Sequence, residues 1–342
     1  MMRVTAVQSA AMARIFLTHS PEMLEQYYGP RAVAALEKLA EVRINATGQV
    51  LTTQALLAQA RGCEIIVSDR QTPGEQAFFD GSPDVVAFVR CAVDIRNVDV
   101  AAASRQGVLV THATPGFAAS VAEMALGFIV NLARHIPDAV LEYRAGKEAS
   151  AQIGRQLSGS VMGIIGYGAI GVHLAPIGKA LGMTVLVSDP YKTIVEPGLR
   201  QVTLDVLLRE SDFVVCLAVA IPETENLMNE AAFARMKRSA YFINLSRGNL
   251  VDEAALERAL DERRIAGAAL DVGRAPDQKP SLFLARRPDV IATPHTAGLT
   301  PQAIEHQAFD TVRQVSELVA GRVPPGAVNA EQATRLARLR KS

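Results

Sequence analysis

The chain has 342 residues, 49% of them hydrophobic, and its 35 Lys+Arg balance 35 Asp+Glu. That length and apolar content call for about two packed domains and exclude wholesale disorder. Without a net basic field the electrostatic footprint of a nucleic-acid or anionic-membrane binder is missing, so neither partner is expected.

The opening residues MMRVTAVQSAAMA are acid-free but lead into Arg14 without the long apolar core of a leader, so residues 1–12 are expected to be a frayed extension, with Met12 as an alternative start. From there the strand-like runs RIFL, VRI, EIIV, VVAFV and VLV alternate with amphipathic stretches such as RAVAALEKLA and VDVAAASRQ. A long helical segment follows, SVAEMALGFIVNLARHI, too short for a membrane span and carrying Glu123. A second series comprises VMGIIG, TVLVSD, DFVVCLAV, AYFINLS, AGAALDV and VIATPH, separated by helical stretches including TLDVLLRES and DEAALERALDERR. Strands alternating with helices predict a parallel sheet, and two such series predict two α/β domains. The last helix, PQAIEHQAFDTVRQVSELVAG, comes after the second series and is expected to return to the first domain. The expected bounds are 13–112 plus 301–330 for a discontinuous first domain and 113–300 for the second, with 1–12 and 331–342 as mobile ends.

The three cysteines, Cys63, Cys91 and Cys216, are scattered and form no CxxC or metal-type cluster. A reduced, cytoplasmic setting and no metal are therefore expected.

Within VMGIIGYGAIGVHL, Gly166, Gly168 and Gly171 stand in GxGxxG spacing after a strand and at the start of a helix. The first glycine permits a tight turn, the second lets a pyrophosphate approach the backbone, and the third lets helix pack on strand. Unpaired N–H groups at the helix start, over Ala169 and Ile170, add donors to the phosphates. Asp189 closes the next strand, where a carboxylate accepts from both ribose hydroxyls and repels a 2′-phosphate, which favours NAD over NADP. The bland alternative is that the glycines merely serve a turn. Pro176 inside the helix is expected to kink it.

Ligands of open parallel sheets bind beyond the carboxyl ends of strands. Arg247 follows AYFINLS, Asp271 follows AAL, and His295 follows Thr293-Pro294. Taken alone, such an Arg is more often a structural ion pair and such a His a loop residue. Together beside a nicotinamide they suit 2-hydroxy acid chemistry, the Arg forking onto a carboxylate and the His exchanging the hydroxyl proton.

The motifs GIIGYGAIG, SDFVVCLAVAIPETENLM, MKRSAYFINLSRGNLVDEAAL and ATPHTAG carry a likeness. Over residues 45–325 the chain resembles the D-isomer-specific 2-hydroxyacid dehydrogenases, the group with D-3-phosphoglycerate, glycerate and formate dehydrogenases. The resemblance implies two Rossmann-like, doubly wound parallel-sheet domains with the active site in the cleft between them, in a homodimer. It implies an oxidoreductase moving a hydride between NAD and a small D-2-hydroxy or 2-oxo acid. By position, Arg247 would bind the substrate carboxylate and carbonyl oxygen, and His295 would be the general acid or base. Asp271 would hold the nicotinamide carboxamide, and the backbone N–H groups of Cys91, Ala92, Val93 and Asp94 would face the substrate carboxylate.

Two departures stand out. Ala92 and Asp94 replace glycines of the substrate loop, which sets a carboxylate beside an anionic substrate. The family's catalytic glutamate falls on Pro276, leaving Asp277 either as a displaced partner of His295 or as a loop charge. The family also contains corepressors, so an NAD(H)-sensing interaction protein is the competing expectation.

Overall fold

A computed structural model describes residues 12–341; the side chains of Asp277, Arg340 and Lys341 lie outside the described residues. The expected N-terminal extension, apart from Met12, also lies outside them. The chain forms two compact units, residues 1–116 with 301–342, and residues 117–300.

In the first unit β1 (Arg14–Leu17), β2 (Glu41–Ile44), β3 (Ile65–Ser68), β4 (Ala87–Arg90) and β5 (Leu109–His112) form one parallel sheet in the order β2-β1-β3-β4-β5. Side chains alternate between its faces: Ile15, Leu17, Ile65 and Val67 feed one core, Phe16 and Ile66 the other. The inner strands β3 and β4 are buried on both faces and read as near-continuous apolar runs, whereas the edge strand β2 alternates, with Glu41 and Arg43 exposed. The returning helix Pro301–Val319 adds Ala308, Val315 and Leu318 to the first of these cores.

The C-terminal segment differs from expectation. Instead of a mobile tail, Thr334–Lys341 forms 3₁₀ turns that bury Leu336 and Leu339 against the first unit. Asn329 fixes its entry, donating to Val108 O and accepting from Val110 N, and Arg335 donates to Ser82 O and Val85 O. Arg335 and Arg338, two of the arginines that made the segment read as solvated, donate to backbone carbonyls of the first unit.

In the second unit β6 (Val161–Ile165), β7 (Thr184–Ser188), β8 (Leu199–Gln201), β9 (Phe213–Cys216), β10 (Tyr241–Asn244), β11 (Gly267–Leu270) and β12 (Val290–Ala292) are parallel, in the order β12-β11-β10-β9-β6-β7-β8. The strand order reverses between β6 and β9, which opens a crevice at their carboxyl ends. The helix Ala118–Arg134 lays Val121, Ala125, Phe128 and Leu132 on one face of this sheet. No single helix among the described residues is long and apolar enough to cross a membrane. The helix Ala169–Ala180 is continuous, with Pro176 inside it. Pro176 and Val172, whose carbonyl loses its partner, are both exposed, so water replaces the missing bond.

Candidate active site

The glycine turn joins β6 to the helix Ala169–Ala180. Gly166 has φ +88°, and a Cβ there would lie 2.6 Å from Ala218 Cα, beyond β9. Only glycine fits, because the conformation is left-handed and a neighbouring backbone fills the space. A Cβ on Gly171 would sit 3.1 Å from Gly166 O, so that glycine serves close packing. Gly168 differs: a Cβ there would meet nothing within 4 Å. No protein packing demands a glycine at 168, and the space beside its bare backbone is open. The first N–H groups of the helix, at Ala169 and Ile170, lack intrahelical partners by geometry and complete the cradle.

Asp189 sits just beyond β7. Its Oδ2 accepts from Tyr167 N at 2.8 Å and its Oδ1 from Tyr191 N at 2.9 Å. The acid thus staples the glycine turn to the β7 end while each oxygen keeps a lone pair for a ribose hydroxyl.

Arg247, Asp271 and His295 leave the ends of the adjacent strands β10, β11 and β12. Buried Asn244 orients the first: its Nδ2 donates to Arg247 O at 3.0 Å and its Oδ1 accepts from Ser246 N at 3.1 Å. His295 adopts φ +61°, sparsely populated for a non-glycine residue. Asp271 holds the turn that bears it. At 1% exposure, its Oδ1 accepts from Thr293 Oγ1 (2.5 Å) and Thr296 N (2.8 Å), and its Oδ2 from Ala297 N (2.9 Å). The resemblance gave Asp271 to the nicotinamide; in the structure its carboxylate is engaged by the histidine turn.

In the first unit, the loop after β4 rests on Arg90. Its buried guanidinium donates to Ser68 Oγ, Thr72 O and Asn97 Oδ1, and its Nε to Asp94 O. Burial pushes the Arg90 pKa down to about 10 against the pull of Asp69 and Asp94, still fully charged at neutral pH. One expectation is corrected here: Cys91 N–H donates to Ser68 O at 2.8 Å, continuing the β3–β4 ladder, and so does not face a substrate. The N–H groups of Ala92 and Val93 have no partner among the described residues. Asp94 is paired with Arg96, whose Nη2 and Nε lie 2.6 and 3.0 Å from its Oδ2. That pairing offsets the charge that made Asp94 awkward beside an anion. His19, left unassigned by the sequence, is a core residue 4.8 Å from the Tyr28 ring; burial pushes its pKa down to about 4, with Asp69 opposing and Arg90 reinforcing.

A family model described as D-isomer specific 2-hydroxyacid dehydrogenase, NAD binding domain, matches residues 126–297. The chain belongs to the D-isomer specific 2-hydroxyacid dehydrogenases. A D-3-phosphoglycerate dehydrogenase of Synechocystis sp. is 38% identical over 244 residues, covering 70% of this chain and 44% of that protein. A glyoxylate reductase of Korarchaeum cryptofilum is 32% identical over 287 residues, 81% of this chain and 86% of that one. The NAD-complexed D-isomer specific 2-hydroxyacid dehydrogenase of Lactobacillus delbrueckii ssp. bulgaricus superposes with a TM-score of 0.77 at 27% identity, covering 93% of this chain and 100% of that one. The chain spans about half the length of the D-3-phosphoglycerate dehydrogenases it matches.

Within this dehydrogenase family frame, the glycine cradle, Asp189, Arg247, Asp271 and His295 all lie along the carboxyl edge of one sheet. Pro276 and Asp277 fall in the short 3₁₀ turn Pro276–Gln278, and the Asp277 side chain lies outside the described residues. Asn244 and Arg90 escaped the sequence reading. Their signal was a polar residue ending an otherwise apolar strand, YFIN and AFVR, where a loop needs internal partners.

Proposed function

We propose that the protein is an NAD-dependent dehydrogenase that interconverts a small 2-oxo acid and its D-2-hydroxy acid. The observation that carries this is His295, held in a left-handed conformation by Asp271, on the strand next but one to Arg247 and on the same sheet edge as the glycine cradle. In reduction, Arg247 forks onto the substrate carboxylate and polarises the adjacent carbonyl. His295 donates its proton to the carbonyl oxygen as that oxygen gains charge, and takes it back in oxidation. The nicotinamide, when bound, supplies or accepts the hydride at the carbon. NADH consumption across a panel of 2-oxo acids tests the proposal, and no turnover with any of them would favour the NAD(H)-sensing alternative.

Asp189 sets the cofactor preference. NAD(H) is expected to bind more tightly than NADP(H), and Asp189→Asn to narrow the gap by roughly tenfold, ~1.4 kcal/mol, since asparagine keeps one acceptor for the turn but no charge. Fluorescence titration with both reduced cofactors reads this directly; equal affinities in the unmodified protein would remove Asp189 from the account.

Asp277 is the proposed carboxylate partner of His295, replacing the glutamate that Pro276 displaces. Support comes from the backbone, where Gly273 N–H bonds Gln278 O at 2.9 Å and closes the loop that carries Asp277. Asp277→Asn should lower turnover in reduction, by weakening the orientation of the imidazole, while leaving NADH affinity unchanged. Unaltered turnover in that variant leaves Asp277 a loop charge.

A second copy of the chain is the proposed cover for Ile136–Arg144 and the segment 145–156. Leu141, Tyr143 and Ile153 are exposed there, Ile153 to 99%. Light scattering should show a dimer, and Tyr143→Glu with Leu141→Asp should shift it to monomer. A monomeric unmodified protein refutes the assignment.

A further inference from the structure

Three loops leave the carboxyl ends of β9, β10 and β11, and one side chain ties them together. The Nη2 of Arg274 lies 2.8 Å from Glu225 Oε1, 2.6 Å from Asn226 Oδ1 and 3.0 Å from Asn249 O, and its Nε donates to Val251 O at 3.1 Å. These partners belong to two segments already laced together, since Asn226 N bonds Asn249 O at 2.8 Å and Met228 N bonds Leu250 O at 2.9 Å. Arg274 closes the end of that short ladder and attaches the β11 loop to it.

The β11 loop is itself closed. Ala275 N bonds Lys279 O at 3.2 Å, alongside the Gly273–Gln278 bond. The Glu253 carboxylate spans it, accepting from Arg274 N at 2.9 Å and from Ser281 Oγ at 2.5 Å. The loop then meets the turn after Arg247 backbone to backbone: a Cβ on Gly248 would lie 2.2 Å from Gly273 C and O and 2.8 Å from Arg274 N. With contact this close, the peptide that follows Arg247 has no freedom independent of residues 273 and 274.

We infer that Arg274 is a positioning residue for Arg247. Its Nη2 contacts both neighbouring loops while its Nε holds Val251 O, and a lysine's single nitrogen cannot supply both positions at once. The clamp sets the 273–274 backbone, that backbone abuts Gly248, and Gly248 fixes where the Arg247 side chain begins. Arg274 touches neither substrate nor cofactor in this role. The kinetic part of the inference rests on the proposed 2-oxo acid reduction; the mechanical part does not.

The test uses the full chain as unmodified protein, Arg274→Ala and Arg274→Lys. In hydrogen exchange, Arg274→Ala should speed exchange of the amides over 246–252 as well as 272–281, and leave 161–175 unchanged. In steady-state reduction, the same variant should raise KM for the 2-oxo acid and lower kcat, each by about tenfold, with NADH affinity unaltered. Arg274→Lys should recover only part of this. In an Arg247→Lys background, Arg274→Ala should add little, because the group it positions is already compromised. Unchanged exchange over 246–252, or effects that multiply in that background, would overturn the inference. If the unmodified protein reduces no 2-oxo acid, the proposed function fails, and the exchange data alone decide whether Arg274 couples the two loops.

Discussion

Exchanging His295 for alanine is expected to lower turnover by on the order of 10²-fold or more while leaving NADH affinity near its starting value. In the proposed mechanism the imidazole hands a proton to the oxygen only as charge develops there, so its loss falls on the transition state rather than on ground-state binding. Arg247→Ala should behave differently, raising KM for the 2-oxo acid as well as lowering kcat, because in the proposed mechanism the guanidinium holds the carboxylate before and during the reaction. Arg247→Lys keeps the charge but loses the planar fork, and should stay well short of full activity. Steady-state kinetics with separate fluorescence titration of NADH resolve these contributions. Near-normal turnover in His295→Ala would take the histidine out of the chemistry.

The cofactor cradle was legible because its glycines answer local needs that show in spacing. A left-handed turn at Gly166, an open approach at Gly168 and helix–strand contact at Gly171 all lie within six residues. Arg247 and His295 were legible as charged residues breaking apolar runs at strand ends. What stayed hidden was mostly pairing across the chain. Asp271 finds its donors 22 to 26 residues away, and the Arg90 guanidinium finds acceptors on the β3 loop 18 to 22 residues back. No periodicity encodes such pairs. The edge strand β8 was missed for a simpler reason: LRQ is three residues long, mostly exposed and without an apolar face. In the C-terminal segment the leucines follow the spacing of a docking face, but the interleaved arginines masked it.

Asp271 offers the other large effect, and it separates two roles for one carboxylate. Its oxygens satisfy one hydroxyl and two backbone N–H groups of the turn 293–297, almost wholly out of solvent. Hydrogen bonds to a charged group contribute ~1.5–3 kcal/mol each, and a buried donor left unpaired costs about as much, so Asp271→Ala should destabilise by several kcal/mol in total. For a unit of this size that corresponds to a fall in Tm of about 10–20 °C. The turn would then relax, since three of its donors lose their acceptor, and turnover should drop by on the order of 10²-fold. Asp271→Asn is the sharper variant. Its single oxygen still serves Thr293 and Thr296, but its NH₂ faces Ala297 N–H, donor against donor, so stability and turnover should fall together by a smaller amount. If Asp271 acts through the histidine turn, NADH affinity in the Asn variant stays close to that of the unmodified protein while kcat and Tm decline. A loss confined to NADH binding, with Tm unchanged, would return Asp271 to the nicotinamide and leave the conformation of His295 without its anchor.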